Sequence, residues 1–114
     1  MKNKITTIEF PVFGDYFIHV EIFSDLQKTL LKYPQTQSIE DEEGTDALTV
    51  HPRNEPVSFI FLKYNSSAGT IAHESWHAIR RMMQYFGVDI ESETVAYHLG
   101  YLVNRITQFK RTGK

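Results

Sequence analysis

Two histidines and a glutamate near the middle of the chain have the spacing of a hydrolytic metal site. His73, Glu74 and His77 form a His-Glu-x-x-His pattern, in which the histidines are four residues apart. On a helix this spacing places both imidazoles on one face, with β-carbons roughly 5–6 Å apart, so that they can share one zinc ion. Glu74 is rotated about 100° from His73 and can act on a zinc-bound water without taking a coordination position. The pattern therefore predicts metal-assisted hydrolysis.

A catalytic zinc ion needs a further protein donor, because such sites combine three protein ligands with an open water position. The longer metzincin pattern requires glycine at position 80 and histidine at position 83, where this chain has Arg80 and Met83. That branch of zinc peptidases is therefore excluded. The remaining candidates lie in the last helical segment and are Glu91, Glu93 and His98.

The motif and the segment after it together resemble a known family. Residues 70–77 read Thr-Ile-Ala-His-Glu-x-x-His, and residues 93–102 read Glu-Thr-Val-Ala-Tyr-His-Leu-Gly-Tyr-Leu. This pairing resembles the compact gluzincin-type zinc metallopeptidases, which include minigluzincins and small proteins of phages and mobile elements. The resemblance covers about residues 70–103 and implies a zincin-like peptidase in which Glu93 is the third zinc ligand. An alternative for Glu93 is a carboxylate that stabilises the N-terminus of its helix.

Other residues near the motif have two interpretations each. Tyr97, one turn after Glu93, can orient a histidine ligand or donate to a tetrahedral intermediate, or it can pack in the core. His98 is interpreted as a group close to the ligands or the substrate, or as a solvated helix residue. Trp76 is expected to pack in the core or line a groove. His19 and His51 have no patterned partners and are expected to be structural.

The constellation predicts a zinc-dependent peptidase. Zinc held by His73, His77 and Glu93 lowers the pKa of its water, and Glu74 removes the proton so that the hydroxide attacks a peptide carbonyl. Glu74 then passes the proton to the leaving amine. The alternative is a catalytically inactive zincin-fold protein of a phage or mobile element that binds or regulates a partner. A third hypothesis is a protease of DNA-bound proteins, tethered through its basic residues.

Composition narrows the class of protein. The chain has 114 residues and is expected to form a single domain, 1–114. It has no cysteine, which excludes thiolate metal sites and disulfides, and no long apolar run, so we expect a cytoplasmic protein without a membrane partner. A net charge of −2 makes nucleic acid an improbable partner, and Arg80-Arg81 and the basic C-terminal residues are expected to form solvated helix surfaces. The expected partner is a peptide or protein substrate.

The elements that must position the motif follow from its surroundings. Residues 5–10 and 16–23 alternate apolar with polar side chains and predict a β-hairpin. Ser24 with Gln27 resembles a capping box for a short helix that ends before Pro34. Residues 35–46 are acidic and predict a mobile loop, and residues 47–51 and 57–64 predict two more strands. The stretch 57–64 is apolar on nearly every residue, as expected of a strand that is buried on both faces or lies beside a catalytic helix. The resemblance to zincins implies that it is the edge strand that aligns an extended peptide.

Two helices complete the predicted α+β fold, in which a small mixed or antiparallel sheet packs against the motif helix and a C-terminal helix. The motif helix is expected over 68–86, with a serine cap and a stop at Gly87. The last helix is expected from about Asp89 or Glu91 to Phe109, and its apolar face comprises Ala96, Leu99, Gly100, Val103 and Ile106. With these bounds His77 lies roughly 13 Å from the end of its helix, whereas Glu93 lies only about 6 Å into the next. A steep crossing or a shorter motif helix is then needed to bring Glu93 to His77.

Overall fold

The fold is α+β, as predicted. The computed structural model describes residues 3–33 and 47–114, so the predicted acidic loop at 35–46 lies outside the described residues. The described elements, in chain order, are β1 (Lys4–Glu9), β2 (Phe17–Phe23), α1 (Leu26–Leu30), β3 (Ala47–Val50), β4 (Val57–Lys63), α2 (Ala68–Phe86) and α3 (Glu93–Thr112). All four predicted strands and the motif helix are confirmed to within one or two residues.

The four strands form one mixed sheet in the order β1-β2-β4-β3. β1 and β2 pair antiparallel as the predicted hairpin, β2 and β4 pair parallel, and β3 returns antiparallel to β4. β4 is hydrogen-bonded on both sides, so the edge-strand role implied for residues 57–64 is wrong, whereas the expectation of a strand buried on both faces is confirmed. Among the described strands the edge beside the motif helix is β3. The apolar sequence of β4 reflects its central position in the sheet, where both faces are covered.

Each face of the sheet supports its own core. The long helices α2 and α3 cover the face that carries the even-numbered side chains of β2 and β4, and the principal core residues there are Ile18, Val20, Ile22, Ile60, Leu62, Met82 and Leu102. On the opposite face α1 packs against a smaller cluster whose buried members are Phe23, Leu26, Leu30, Val50, Phe59 and Phe61. Full burial of each such side chain contributes about 1.5–3 kcal/mol. The motif helix is therefore fixed on a rigid support.

The motif helix α2 has caps at both ends, as expected. Ser67 precedes it and accepts a hydrogen bond from the backbone N–H of Thr70. Gly87 follows it with φ 70°, a left-handed conformation that favours glycine, and its N–H closes the last turn. The short helix α1 is capped differently from the prediction, because Asp25, rather than Ser24, accepts from the backbone N–H of Lys28.

Helix α3 begins later than predicted, and its buried face is only partly the predicted one. Asp89 accepts from the backbone N–H of Glu91 through its side chain and from that of Ser92 through its carbonyl, and this turn delays the helix to Glu93. The buried residues of α3 are Val95, His98, Leu102, Ile106 and Phe109. Of the predicted apolar face, Ile106 is buried and Leu99 and Val103 pack against the core, whereas Ala96 and Gly100 are exposed. The buried face is displaced from the predicted one because His98, counted as polar, belongs to it.

Candidate metal centre

The two motif histidines converge on one another at the surface of α2. Their Nε2 atoms lie 3.2 Å apart, and the ring centroids are separated by 4.8 Å. Two ligands of a tetrahedral zinc ion, each about 2.05 Å from the metal, lie roughly 3.3 Å apart. The observed separation matches that edge of the tetrahedron, and both rings are accessible to solvent. The same 3.2 Å separation also corresponds to an Nε2–H···Nε2 hydrogen bond between the two rings.

Glu74 completes the compact group. Its carboxylate and the ring nitrogens of His73 and His77 all lie within 4.8 Å of one another. Within the described residues, no other histidine, aspartate or glutamate joins a group of three at this distance. Glu74 is 7 % exposed, in contrast to the histidines, because it points along the helix flank that faces the sheet. The group therefore combines a buried carboxylate with two accessible imidazoles.

A threonine on the edge strand orients that carboxylate. Thr49 Oγ1 donates to Glu74 Oε1 over 2.9 Å and also lies 3.3 Å from the Glu74 backbone oxygen. Thr49 is the third residue of β3 and pairs with Ile60, so it lies on the helix-covered face. Sequence reasoning did not identify Thr49. The available signal was a polar residue at a core-facing position of a predicted strand.

His51 follows the same strand and also faces α2. Its Nδ1 lies 2.9 Å from the Ser58 hydroxyl, which in turn lies 2.6 Å from the Tyr16 hydroxyl. Ser58 and Tyr16 are fully buried. Burial, together with the smaller effects of the charges of Arg81 and His77, lowers the pKa of His51 to about 4. The ring is therefore neutral at neutral pH, the form that can accept a proton or a metal ion.

The residues expected from α3 lie elsewhere. Glu93 is the first residue of α3, and both it and Glu91 are exposed. Neither carboxylate joins the group formed by the motif. The axial offset is larger than predicted, because α2 continues to Phe86 whereas α3 begins only at Glu93. The assignment of Glu93 as third ligand stays a prediction.

His98 belongs to the core rather than to the centre. It is 3 % exposed, its Nδ1–H donates to the Thr94 carbonyl, and its ring packs against Phe10 and Phe13. The interpretation as a solvated helix residue is therefore wrong. Tyr97 is 70 % exposed, so it does not pack in the core, and its catalytic role stays a prediction.

The remaining predicted residues have clear positions. Trp76 packs against the main core, as expected. His19 lies on the opposite face of the sheet from the motif, where its Nε2 is 2.9 Å from the Tyr33 hydroxyl. Arg80 is exposed, whereas Arg81 is half-buried and acts electrostatically on His51 and on the Tyr16 hydroxyl. The two arginines therefore do not form a single solvated surface.

None of the helices in the described ranges combines the length and the apolar character of a membrane span. Comparison of the chain with models of known protein families, with curated proteins and with solved structures finds no match in any of the three. The resemblance to gluzincins accordingly rests on the motif residues and on the second-helix residues quoted above.

Proposed function

We propose that the protein is a zinc-dependent peptidase whose metal is held by His73 and His77 and whose general base is Glu74. The observation that carries this proposal is the 3.2 Å separation of the two Nε2 atoms, with a carboxylate oxygen in the same compact group. The two imidazoles converge at the distance that shared coordination of one ion requires. Their convergence beside a buried carboxylate is what metal-assisted hydrolysis of an amide demands.

When bound there, zinc supplies a Lewis acid that acidifies a water and polarises the scissile carbonyl. Glu74 then takes the proton of the attacking water as its oxygen bonds to the carbonyl carbon. The same carboxylate delivers that proton to the amine as the carbon–nitrogen bond breaks. Thr49 keeps the carboxylate in place between these two steps, since its hydroxyl donates to Oε1.

The substrate is proposed to bind as an extended peptide beside β3, in a zincin-like arrangement. β3 is the outermost described strand on this side of the sheet, and its residue Thr49 contacts the proposed base directly. A peptide that adds to this edge by main-chain hydrogen bonds passes close to His73 and His77. We therefore expect the backbone N–H and C=O groups of β3 to bind the peptide main chain, and the surface of α2 to discriminate between its side chains.

The test is hydrolysis of a defined peptide mixture by zinc-loaded protein, followed by mass spectrometry. We expect cleavage by the parent protein and by Glu55→Gln, which changes an exposed carboxylate in the β3–β4 turn. Glu74→Gln is expected to retain zinc and to lose activity by about 10²–10⁴-fold, the contribution typical of a general base. Equal cleavage by Glu74→Gln and the parent would refute the assigned base. Zinc binding with no hydrolysis of any peptide would instead favour a binding or regulatory protein.

A further inference from the structure

We propose that Arg81 is a substrate-binding residue that selects peptides with a carboxylate two or three residues from the cleaved bond. This inference rests on the peptidase proposed above and names the class of its substrates. Arg81 lies on the same helix as the histidine pair, one turn beyond His77. It is not a member of the compact group of ligand atoms, so its guanidinium is available to a substrate that reaches the histidines.

Arg81 continues the row of side chains that starts with the motif. His73, His77 and Arg81 follow one another at four-residue intervals, so each is displaced by only about 40° around the helix from the one before. Side chains at this spacing are neighbours on a helix surface, with β-carbons roughly 5–6 Å apart. The displacement is towards the flank of Glu74, which meets β3 through Thr49. Arg81 therefore lies on the side of α2 along which the substrate is proposed to bind.

The guanidinium of Arg81 lies near the end of β3. Among the charges that act on the His51 imidazole, just after that strand, it is the strongest, and it also acts on the Tyr16 hydroxyl. Ser58 joins these two groups in one chain of hydrogen bonds. Burial raises the pKa of Tyr16 and lowers that of His51, so both are uncharged at neutral pH. The groups beside the guanidinium therefore do not neutralise its charge.

Arg81 has no anionic partner in the part of the chain that the structure describes. Its side chain is half-buried, in contrast to the exposed side chains of the other arginines. Within residues 3–33 and 47–114 the guanidinium forms neither an ion pair nor a hydrogen bond. Glu74, on the same flank, is about 10.5 Å away along the helix axis and is bonded to Thr49. Because a charge withdrawn from water is normally paired, the position favours an anion supplied by a ligand.

A carboxylate is the anion that a peptide can place there. The guanidinium presents a planar fork of N–H donors that can bind both oxygens of a carboxylate. Arg81 lies about 6 Å beyond His77 along the helix axis, and two residues of an extended peptide span about 6.6 Å. A peptide whose cleaved carbonyl lies at the histidine pair can therefore present to Arg81 either an acidic side chain or its own C-terminal carboxylate.

The test is the binding of dye-labelled octapeptides to zinc-loaded Glu74→Gln protein, in which cleavage is suppressed. The reference peptide has no acidic residue and an amidated C-terminus. In one series a single glutamate is moved through the sequence, and in another peptide the C-terminus is the free acid, so a side-chain carboxylate is distinguished from a terminal one. We expect the carboxylate at one position to tighten binding by about 10–100-fold, the contribution of a hydrogen bond between charged groups.

Substitution assigns that gain to Arg81. Arg81→Gln in the same background is expected to abolish it, and Arg81→Lys to retain part of it, because an ammonium keeps the charge without the planar fork. Arg80→Gln removes the adjacent exposed arginine and is the matched control, which should keep the full gain. Circular dichroism and zinc content of each variant establish that the fold and the metal centre are intact. A gain that survives in Arg81→Gln, or the absence of a gain in every peptide, would overturn the role of Arg81.

Hydrolysis by the unmutated protein separates this inference from the peptidase proposal. We expect the preferred carboxylate to raise kcat/KM by about the same factor as it tightens binding, chiefly through KM. Cleavage of acidic and neutral peptides with equal kcat/KM would overturn the role of Arg81 alone. Carboxylate-dependent binding through Arg81 without cleavage of any bound peptide would overturn the peptidase proposal and leave a site that binds acidic peptides.

Discussion

Thr49 donates a hydrogen bond to Glu74 over 2.9 Å, and this contact joins the edge strand to the motif helix at the proposed base. A threonine with its hydroxyl towards the core is costly unless the hydroxyl has a partner. Here the partner is the one carboxylate of the compact group, and Thr49 is partly buried beside it. The sheet therefore fixes the position of the proposed base.

Thr49→Val is expected to lower the rate of peptide hydrolysis by about tenfold, because the carboxylate loses the donor that orients it. This loss corresponds to the lower end of the value of a single hydrogen bond to a charged group, which is about 1.5–3 kcal/mol. Zinc content is expected to stay at the parent level, since Thr49 is not a ligand. Thr49→Ser retains the hydroxyl and is the matched control. If serine fails to restore the rate, the loss arises from strand packing and not from the hydrogen bond.

Main-chain pairing at β3 is tested with modified substrates. A good peptide substrate in which single backbone amides are N-methylated loses one donor at a time and keeps its side chains. We expect methylation at alternate positions to reduce kcat/KM by about tenfold, because only every second amide of an added strand faces the edge. A uniform effect at all positions, or none, would contradict binding by strand addition.

A buried carboxylate on the opposite face of the sheet is expected to govern acid stability. Glu21 is fully buried. Burial alone raises its pKa, but hydrogen bonds from Lys32, Tyr33 and Asn3 outweigh that effect, so the pKa lies below its usual value of 4.5. Because the folded-state pKa is lowered, this carboxylate stabilises the fold above about pH 4.5 and ceases to do so as the pH falls through the folded-state value.

Glu21→Gln is therefore expected to reduce the free energy of unfolding by about 1–3 kcal/mol at pH 7. The difference between parent and variant should narrow as the pH falls below about 4.5. Chemical denaturation at a series of pH values measures both effects. Glu9→Gln, at an exposed position of β1, serves as the control and should change neither. A gap that stays constant down to pH 3 would show that protonation of Glu21 has no part in acid unfolding.

The attachment of α3 to the sheet depends on its buried stripe. Leu102 is fully buried in the main core, whereas Leu31, just after α1, is 72 % exposed. Leu102→Ala is expected to lower the free energy of unfolding by about 2–5 kcal/mol. Leu31→Ala is expected to change it by less than about 0.5 kcal/mol. Similar losses in the two variants would contradict the assigned core.

The sequence predicted the elements that depend on local periodicity and caps. The motif helix was predicted with its ends because Ser67 and Gly87 are local signals, and the hairpin because Pro11 and Gly14 separate two alternating runs. The position of each strand in the sheet was not predicted. Whether residues 57–64 lie at the centre or at the edge depends on which strands pair, a long-range property that the apolar content of the segment does not determine.

In the candidate site, too, local features were predicted from the sequence and long-range contacts were not. The histidine pair and the base follow from spacing on one helix, and the structure brings their ligand atoms together. Thr49 and His51 come from a strand that precedes the motif by more than twenty residues, so no local pattern links them to it. Their relation to the motif arises from the register between β3 and β4 and from the packing of α2 on that edge.

The most direct test of the central claim is the zinc content of the purified protein, measured by mass spectrometry of the metal after equilibration with zinc and removal of the excess. We predict one zinc ion per chain for the parent and for His19→Ala, and a loss of bound zinc in the double variant His73→Ala/His77→Ala. A parent protein without zinc, or a double variant that retains as much zinc as the parent, would contradict the proposed metal centre.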